Sequence, residues 1–408
     1  MTGLLFVFLS ATLISQSFMD AMSVVIILYM LTMRFTHRTR FQPLVSASSG
    51  LKEAAFMGLW LLVIAIGLRA SPHLLVNFSE WKWILNLGFM YWFLNYYLQT
   101  RGTPSMTLSF WQPLYWVLIA CFIYGAISYA TGIDLFKQQP LTHGRRFAGP
   151  FDDPMNFAHI YGMYGAFLVP FVLEAISEWK HKYKKTKSQI LSVIAFTVTA
   201  LSVALTLTRG AWMGLSAAII VMLFIYRKKF GVLITAAGLV AALLLYGTST
   251  TFKTRVDQAL NPSQSYDSER YNLWRTNWEI FTDYPVFGIG HGDYKDYLPS
   301  YFAKLGIAED HFQSHAHNQY LQFLSNTGLV GFAFYLTFIF GLLFLTYQNY
   351  RKHRDPLFLG SLGAQIAFHV GSLTECNFER AKVRLVYLFF CALSLSIAAQ
   401  LRTPKPTV

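Results

Sequence analysis

The stretch Ser314-His-Ala-His-Asn-Gln-Tyr-Leu-Gln-Phe-Leu-Ser-Asn-Thr-Gly-Leu-Val-Gly331 decides how this chain is organised. It begins with two histidines and an asparagine and continues as an apolar run of about 30 residues, which is enough to cross a bilayer. If it is one helix, His317 and Gly328 lie about three turns apart on one stripe, with Gly331 roughly 40° away. We therefore expect His317 at the mouth of a membrane-spanning helix, above a face without bulky side chains.

The composition indicates a membrane protein. The chain has 408 residues, of which 54% are hydrophobic and only 13% are charged, a balance that soluble proteins rarely reach. The formal net charge of +13 could suggest a nucleic-acid partner. However, the basic residues cluster in short loops between apolar segments, which is the positive-inside pattern and not a basic binding face. We therefore expect membrane lipids as partners and no nucleic acid.

Apolar segments of spanning length recur along the whole chain. We predict an all-α polytopic membrane protein of about twelve transmembrane helices, with a large outer loop between the ninth and the tenth. This divides the chain into residues 1–247 with nine helices, a helical loop or cap at 248–317, and residues 318–408 with three helices. The predicted segments are 2–17, 19–33, 51–69, 82–99, 107–130, 156–176, 189–207, 211–226, 230–247, 318–348, 357–374 and 383–400.

The basic loops give the orientation. They follow the second, sixth, eighth and tenth predicted segments, so they all fall on one side of the membrane, which the positive-inside rule makes cytoplasmic. Both termini are then cytoplasmic. The loops on the opposite side carry the candidate functional residues.

Three helices that enter the membrane from the outer side begin with polar residues. Their amino-terminal N–H groups and positive dipole ends face outward, which is where an anion binds. We therefore predict an anion site just outside the hydrocarbon. The residues concerned are Arg145, Arg146 and Asn156 before the sixth segment, Arg209 before the eighth, and His317 and Asn318 before the tenth.

Arginines and one histidine are the candidate reactive groups. Arg209 lies between two long apolar segments on the side where basic residues are rare, although such an arginine also fits a side chain that snorkels to lipid headgroups. Arg270 and Arg275 lie in the large outer loop, where arginines are commonly solvated or salt-bridged. A guanidinium suits phosphate because it donates two parallel hydrogen bonds. His317, flanked by His315, has an imidazole that can accept a proton from a hydroxyl.

Several other functions lack support in the sequence. The chain has no Walker loop, no Rossmann fingerprint and no His-Glu-x-x-His sequence, so we expect no cofactor. His311, His315 and His317 have spacing that zinc could use, but no cysteine or evident fourth ligand accompanies them, so we expect no metal. Asp152 and Asp153 fit solvated outer-loop carboxylates better than cation ligands.

Three motifs together resemble the bacterial O-antigen ligases and their polymerase relatives. The first is His317-Asn318 followed by Gly328 and Gly331. The second is Thr-Leu-Thr-Arg-Gly-Ala-Trp-Met-Gly around Arg209. The third runs from Ser268-Glu-Arg270 to Pro285-Val-Phe-Gly-Ile-Gly290. Their order and their common position on the predicted outer face make the set more specific than any one motif.

This resemblance implies glycan transfer at the periplasmic face of the bacterial inner membrane. The donor would be a glycan on undecaprenyl pyrophosphate, and the acceptor a sugar hydroxyl of the lipid A–core. Arg209 and Arg270 would engage the pyrophosphate, and His317 would be the base of a metal-free inverting displacement. An O-antigen polymerase of the same superfamily and a transporter of lipid-linked glycans remain alternatives. Glu375 and Arg380, in a short outer turn, are secondary candidates.

Overall fold

Helices form nearly all the regular structure that the computed structural model describes. The described residues are 2–14, 16–37, 83–101, 108–141, 146–179, 186–250, 253–254, 257, 268–290, 294–308 and 315–402. The predicted segment 51–69, together with Arg145 and His311, lies outside them.

The helices follow the apolar segments of the sequence closely. They are α1 (Thr2–Ile14), α2 (Gln16–His37), α3 (Trp83–Arg101), α4 (Gln112–Thr131), α5 (Pro154–Trp179), α6 (Lys187–Leu205), α7 (Arg209–Tyr226), α8 (Lys228–Thr248), α9 (Ser268–Asp283), α10 (Tyr294–Leu305), α11 (Gln319–His353), α12 (Pro356–Gly371) and α13 (Ala381–Arg402). Between α4 and α5, β1 (Ile133–Asp134) pairs antiparallel with β2 (Gln139–Pro140).

The chain is an all-α, multi-pass membrane protein apart from this small hairpin. Within the described ranges, six helices are long and apolar enough to cross a membrane. They are α4, most of α5, α6, α7, α11 and most of α13. Helices also cover the other predicted segments within those ranges, but several are shorter or less apolar. The number of twelve spans and the division into three parts stay predictions.

Helices α5, α12 and α13 form the centre of the bundle. The apolar windows of α5 and α13 are 78% and 83% buried, against 33% for α4. Small residues allow close packing there: a Cβ on Gly214 of α7 would lie 2.3 Å from the carbonyl oxygen of Ala367 in α12. Helix α8, in contrast, exposes Leu233, Leu243 and other large apolar side chains. Such a surface is stable in lipid, where apolar side chains need not be buried against protein.

The outer segment after α8 builds a small core of its own. Leu273 and Ile280 of α9 pack in one buried cluster with Tyr294 and Leu298 of α10. This unit docks on the start of α11 through polar contacts: the Ser325 hydroxyl donates to Asn277 Oδ1 at 2.6 Å. We refer to α9, α10 and the segment between them as the cap; its predicted bounds and its place on the outer side of the membrane stay predictions.

The helix that carries the first motif is broken, and this corrects the prediction of a continuous glycine stripe below His317. Gly328, inside α11, has φ 62° and ψ −169°, a conformation that is essentially restricted to glycine. His317 has φ 50° and precedes the helix. The two residues are therefore not on a common helical face, because neither has helical backbone geometry.

The glycines serve the docking of the cap. The segment 285–290 runs beside the break, where Leu329 N–H donates to the Pro285 carbonyl at 2.8 Å and Gly290 N–H donates to the Asn326 carbonyl at 2.9 Å. A Cβ on Gly328 would lie 2.4 Å from the Val286 carbonyl carbon, and a Cβ on Gly288 would lie 2.4 Å from that of Asn326. Gly288 and Gly328 thus allow the two backbone segments to lie in close contact.

Candidate functional site

A cavity of about 550 Å³ opens at the end of the bundle where α5, α7 and α11 begin. It brings together four of the residues singled out in the sequence: Arg146, Arg209, Arg270 and His317. The other lining residues are Met155, His159, Leu207, Thr208, Gly210, Trp212, Glu269, Thr374 and Glu375. The starts of three helices, the cap and the turn between α12 and α13 therefore enclose one space.

His317 is positioned by the start of α11. The side chain of Asn318 caps this helix, since its Oδ1 accepts hydrogen bonds from Tyr320 N–H at 3.0 Å and Leu321 N–H at 3.1 Å. Asn318 was predicted to bind substrate, but in this structure its oxygen is used by the backbone. The left-handed φ of 50° at His317 turns the chain just before Asn318, the N-cap residue of α11. His317 therefore lies at the cavity wall and not within the helix.

Glu375 anchors the histidine. Its Oε1 lies 3.0 Å from His317 Nδ1 and 3.1 Å from His315 Nε2, and its side chain is only 2% exposed. A carboxylate accepts, so each of these imidazole nitrogens donates. The other nitrogen of His317, Nε2, makes no hydrogen bond to any described residue, and His317 lines the cavity. The first-turn contact of Gln319 N–H with the Ser372 carbonyl, at 3.0 Å, holds the two segments together.

The charge of Glu375 is stabilised from several sides. Burial acts to raise the pKa of this carboxyl, but the hydrogen bonds from His315 and His317 and the charge of Arg380 outweigh burial. The pKa of Glu375 therefore lies well below its usual range. The carboxylate is a fixed anion that orients the imidazole, and it is not a proton donor at neutral pH.

Arg380 ties this turn to the start of α5. Its Nη1 lies 2.6 Å from Asp153 Oδ2 and 3.2 Å from Asn156 Oδ1, and its Nη2 lies 3.4 Å from Glu375 Oε2. Asn156, predicted to bind substrate, contacts Arg380 instead. Asp153 was expected to be solvated, and that expectation was wrong because it forms this ion pair.

The arginines of the cavity come from three separate elements. Arg209 is the first residue of α7, and Arg270 lies in the first turn of α9. Arg146 is held against the turn before α7, because its Nε donates to the Thr206 carbonyl at 3.0 Å and its Nη2 donates to Thr208 Oγ1 at 2.9 Å. Three guanidinium groups therefore border one cavity, which favours an anionic ligand.

Two other candidates lie apart from the cavity lining. Arg275 is exposed and its guanidinium carbon lies 5.9 Å from the centre of the Tyr271 ring, which makes it a surface cation–π contact. His315 binds Glu375, and its ring centre lies 4.5 Å from that of His317, but His315 is not among the residues that line the cavity. His315 therefore contacts Glu375, the residue that holds His317, and not the cavity itself.

A known family matches the part of the chain that contains Arg209, Arg270 and His317. Residues 194–336, from α6 through the first half of α11, match the model of the O-antigen ligase family. Over this range the chain is similar to the O-antigen ligase family. The resemblance inferred from the motifs around Arg209, Arg270 and His317 is thereby confirmed, since all three residues lie within the matched range.

Two curated relatives resemble the chain at low identity. The teichuronic acid biosynthesis protein TuaE of Bacillus subtilis is 21% identical over 252 residues, which is 58% of this chain and 50% of TuaE. An uncharacterised protein of Haemophilus influenzae is 26% identical over 186 residues, which is 42% of this chain and 46% of that protein. The chain thus spans about half the length of the curated relatives it matches.

The range that matches the O-antigen ligase family does not contain the whole cavity. Arg146 and His159 precede the matched range, and Thr374 and Glu375 follow it. His159 had no motif in the sequence analysis, because it lies inside an apolar segment. The available signal was its rarity: an ionisable residue within a membrane segment is commonly functional.

A metal ion would have to compete with the contacts already present. Ligand atoms of His315, His317 and Glu375 lie within 4.8 Å of one another, so these residues could hold a cation by proximity. However, both imidazoles lie at N–H···O distance from one carboxylate oxygen, and Arg380 already neutralises that carboxylate. These contacts form a hydrogen-bonded ion-pair network without a cation. Because His311 lies outside the described residues, the three-histidine zinc site stays a less favoured alternative.

Proposed function

We propose that the protein is a membrane glycosyltransferase that moves a glycan from undecaprenyl pyrophosphate to a sugar hydroxyl of the lipid A–core at the periplasmic face. The observation that carries this proposal is one cavity bordered by Arg146, Arg209, Arg270 and a Glu375-anchored His317. These groups match the needs of a displacement with an anionic leaving group. The similarity of residues 194–336 to the O-antigen ligase family and the membrane helices support the same class of reaction.

The guanidinium groups would bind the pyrophosphate of the donor. Charge develops on the leaving pyrophosphate as the bond between the anomeric carbon and its oxygen breaks. Cations that are fixed in advance stabilise that charge more in the transition state than in the ground state. Arg146 is fixed by Thr206 and Thr208, and Arg209 lies at the start of α7. The protein would thus supply charge without a metal ion.

His317 would act as the general base. Because Nδ1 donates to Glu375, the ring proton of the neutral imidazole is on Nδ1, and Nε2 has the lone pair. The acceptor hydroxyl would transfer its proton to Nε2 while its oxygen forms a bond to the anomeric carbon. Pyrophosphate leaves from the opposite face, so the configuration inverts. The imidazolium that results remains beside the Glu375 carboxylate, which stabilises it.

Polymerisation of lipid-linked glycans is the second candidate. The similarity to TuaE, a teichuronic acid biosynthesis protein, favours it, because the same cavity could take a second lipid-linked glycan as the acceptor. A transporter of lipid-linked glycans requires no base, so it leaves the anchored His317 without a use.

A host that lacks its own O-antigen ligase tests the proposal. Expression of this chain should restore a ladder of glycan-bearing lipopolysaccharide, and purified protein should form the same product from donor and lipid A–core. His317→Ala should lower turnover by about 10²- to 10⁴-fold. The matched control is His353→Ala, which changes the last residue of α11, the helix that His317 precedes.

The outcomes separate the candidates. A restored ladder that vanishes with His317→Ala but not with His353→Ala supports the ligase. Extension of lipid-linked glycan without transfer to lipid A–core would identify a polymerase. Full turnover of His317→Ala, at normal expression, would remove His317 as the base.

A further inference from the structure

A second imidazole borders the cavity. His159 lies on α5, is 3% exposed, and is one of the residues that line the cavity. Its Nε2 is buried and makes no hydrogen bond to the described protein. A buried polar nitrogen without a partner is unfavourable, and this one, unlike the unpartnered Nδ1 of buried His369, belongs to a residue that borders the cavity.

Two glycines on neighbouring helices make room for this ring. A Cβ on Gly371 of α12 would lie 2.8 Å from His159 Nδ1, and a Cβ on Gly210 of α7 would lie 3.4 Å from His159 Cε1. The ring therefore lies between α5, α7 and α12. An apolar side chain could fill that place without leaving a polar nitrogen unpaired, so packing alone does not explain an imidazole.

Asn377 determines which ring nitrogen has the proton. Its Nδ2 lies 3.3 Å from the Phe368 carbonyl oxygen, which only accepts, so this atom is the amide nitrogen. The same Nδ2 lies 3.4 Å from His159 Nδ1. Two donors facing each other would repel, so Nδ1 is the acceptor and the proton of the neutral ring is on Nε2. The unpartnered nitrogen of His159 is thus a hydrogen-bond donor.

The surroundings of His159 favour an acceptor-only ligand. Its Cε1 faces Gly210, the second residue of α7, beside Arg209. Thr208, the N-cap, makes no side-chain bond to the first turn of α7, so N–H groups of that turn lack a helix partner. The guanidinium of Arg209, the first-turn amides and the His159 N–H are all donors, and the carboxylates of Glu269 and Glu375 also border the cavity. A phosphate oxygen only accepts, whereas a sugar hydroxyl also has a proton to place.

We propose that His159 binds the donor substrate by giving the Nε2 proton as a hydrogen bond to a phosphate oxygen of the polyprenyl pyrophosphate. This inference rests on the proposed function, and it assigns the two cavity imidazoles opposite roles. His317 accepts a proton through Nε2, and His159 donates a hydrogen bond without transferring its proton.

Binding of farnesyl pyrophosphate to the purified full chain, measured by isothermal titration at neutral pH, tests this assignment. Inorganic pyrophosphate is the second probe, and it separates recognition of the phosphates from recognition of the lipid. Two substitutions differ in where they place an amide: His159→Gln puts it near the former Nε2, and His159→Asn puts it near the former Nδ1. His369→Asn is the matched control, because His369 is also buried but does not line the cavity.

We expect His159→Asn to weaken both probes about 10- to 100-fold, as for a lost hydrogen bond to a charged group. His159→Gln should stay within about fivefold of the unmodified chain, and His369→Asn should bind normally. Thermal unfolding of each variant checks that it is folded. If His159→Asn is not folded, the comparison is made with His159→Phe, which keeps the ring but lacks the donor.

The result that overturns the inference is a folded donor-free variant with normal affinity, or a Gln variant as weak as the Asn variant. Arg209→Ala keeps this failure distinct from failure of the proposed function. If Arg209→Ala loses binding and His159→Asn does not, only the role of His159 is wrong. If the unmodified chain binds neither probe, the pyrophosphate site itself is wrong, and the role of His159 with it.

Discussion

The Nδ1 atom of His317 lies 3.0 Å from Oε1 of Glu375, a residue 58 positions later in the chain. The same carboxylate oxygen lies 3.1 Å from His315 Nε2, and the other carboxylate oxygen lies 3.4 Å from Arg380 Nη2. The start of α11 and the turn after α12 thus form one rigid unit. This unit positions the proposed base against three arginines.

Replacement of Glu375 by glutamine should lower turnover while donor binding changes little. The amide keeps the volume but removes the charge that holds His317 in one tautomer and stabilises its protonated form. We expect kcat to fall about 10- to 100-fold, as for other groups that orient a reactive histidine, with KM within about threefold. Steady-state kinetics with purified donor and acceptor measure both. A higher KM with an unchanged kcat would contradict an orienting role.

The pH dependence of unfolding should report the same carboxylate. The pKa of Glu375 is depressed in the folded protein, so its contribution to stability is present above the unfolded value of about 4.3 and is lost as pH falls through the folded pKa. The melting temperature of the unmodified chain should exceed that of Glu375→Gln at pH 6, and the difference should shrink as pH falls below about 4. A difference that widens in acid would show that the carboxyl protonates readily.

Arg209 should matter far more than an arginine at the other end of the same helix. Arg209→Ala removes a cation from the proposed pyrophosphate site, and we expect product formation to fall about 10²- to 10³-fold. Arg227 follows the last residue of α7, so Arg227→Ala is the control and should remain near normal. Ladder formation on gels and assays with purified protein give the comparison. Equal loss in both variants would point to folding or insertion.

Gly328→Ala should destabilise the docking of the cap on α11. A residue with a Cβ pays about 1–3 kcal/mol to adopt φ 62° and ψ −169°. The Cβ would also lie 2.4 Å from the Val286 carbonyl. We expect a lower melting temperature and faster proteolysis near residues 284–290. Gly238→Ala in α8 is the control, because nothing lies within 4 Å of a Cβ there. Gly238→Ala should leave both measurements unchanged.

Removal of divalent metal should leave transfer intact. In the proposed mechanism the arginines neutralise the pyrophosphate, and Glu375 is already bound by two imidazoles and Arg380. Turnover after EDTA treatment and after addition of magnesium or zinc measures the effect. A loss that zinc alone restores would favour a metal at His315, His317 and Glu375 over the hydrogen-bonded network.

Much of the candidate site could be predicted from local sequence. An apolar segment announces a membrane helix because lipid requires every backbone group to bond within its own helix. Arg209 was conspicuous because a charge between two such segments needs a reason, and the motifs around Arg270 and His317 gave the family. These inferences need only residue type and order.

The pairing of partners could not be predicted in this way. Glu375 and Arg380 were recognised only as residues in an outer turn, and Asn156 and Asn318 were expected to contact substrate. Whether a polar side chain faces a ligand or a protein group depends on which distant segment lies beside it. That segment is selected by helix packing.

The sequence by itself determined the apolar helices, the resemblance to the O-antigen ligase family and the helix starts at which arginines lie. Hydropathy and charge can be read from each segment separately. Only the tertiary structure decided that α11 breaks at Gly328, that this glycine admits the segment 285–290, and that Glu375 anchors His317. The physical reason is that these contacts join residues that are far apart in the sequence. A backbone contact or a buried ion pair exists only where two remote segments meet, and no local pattern encodes that meeting.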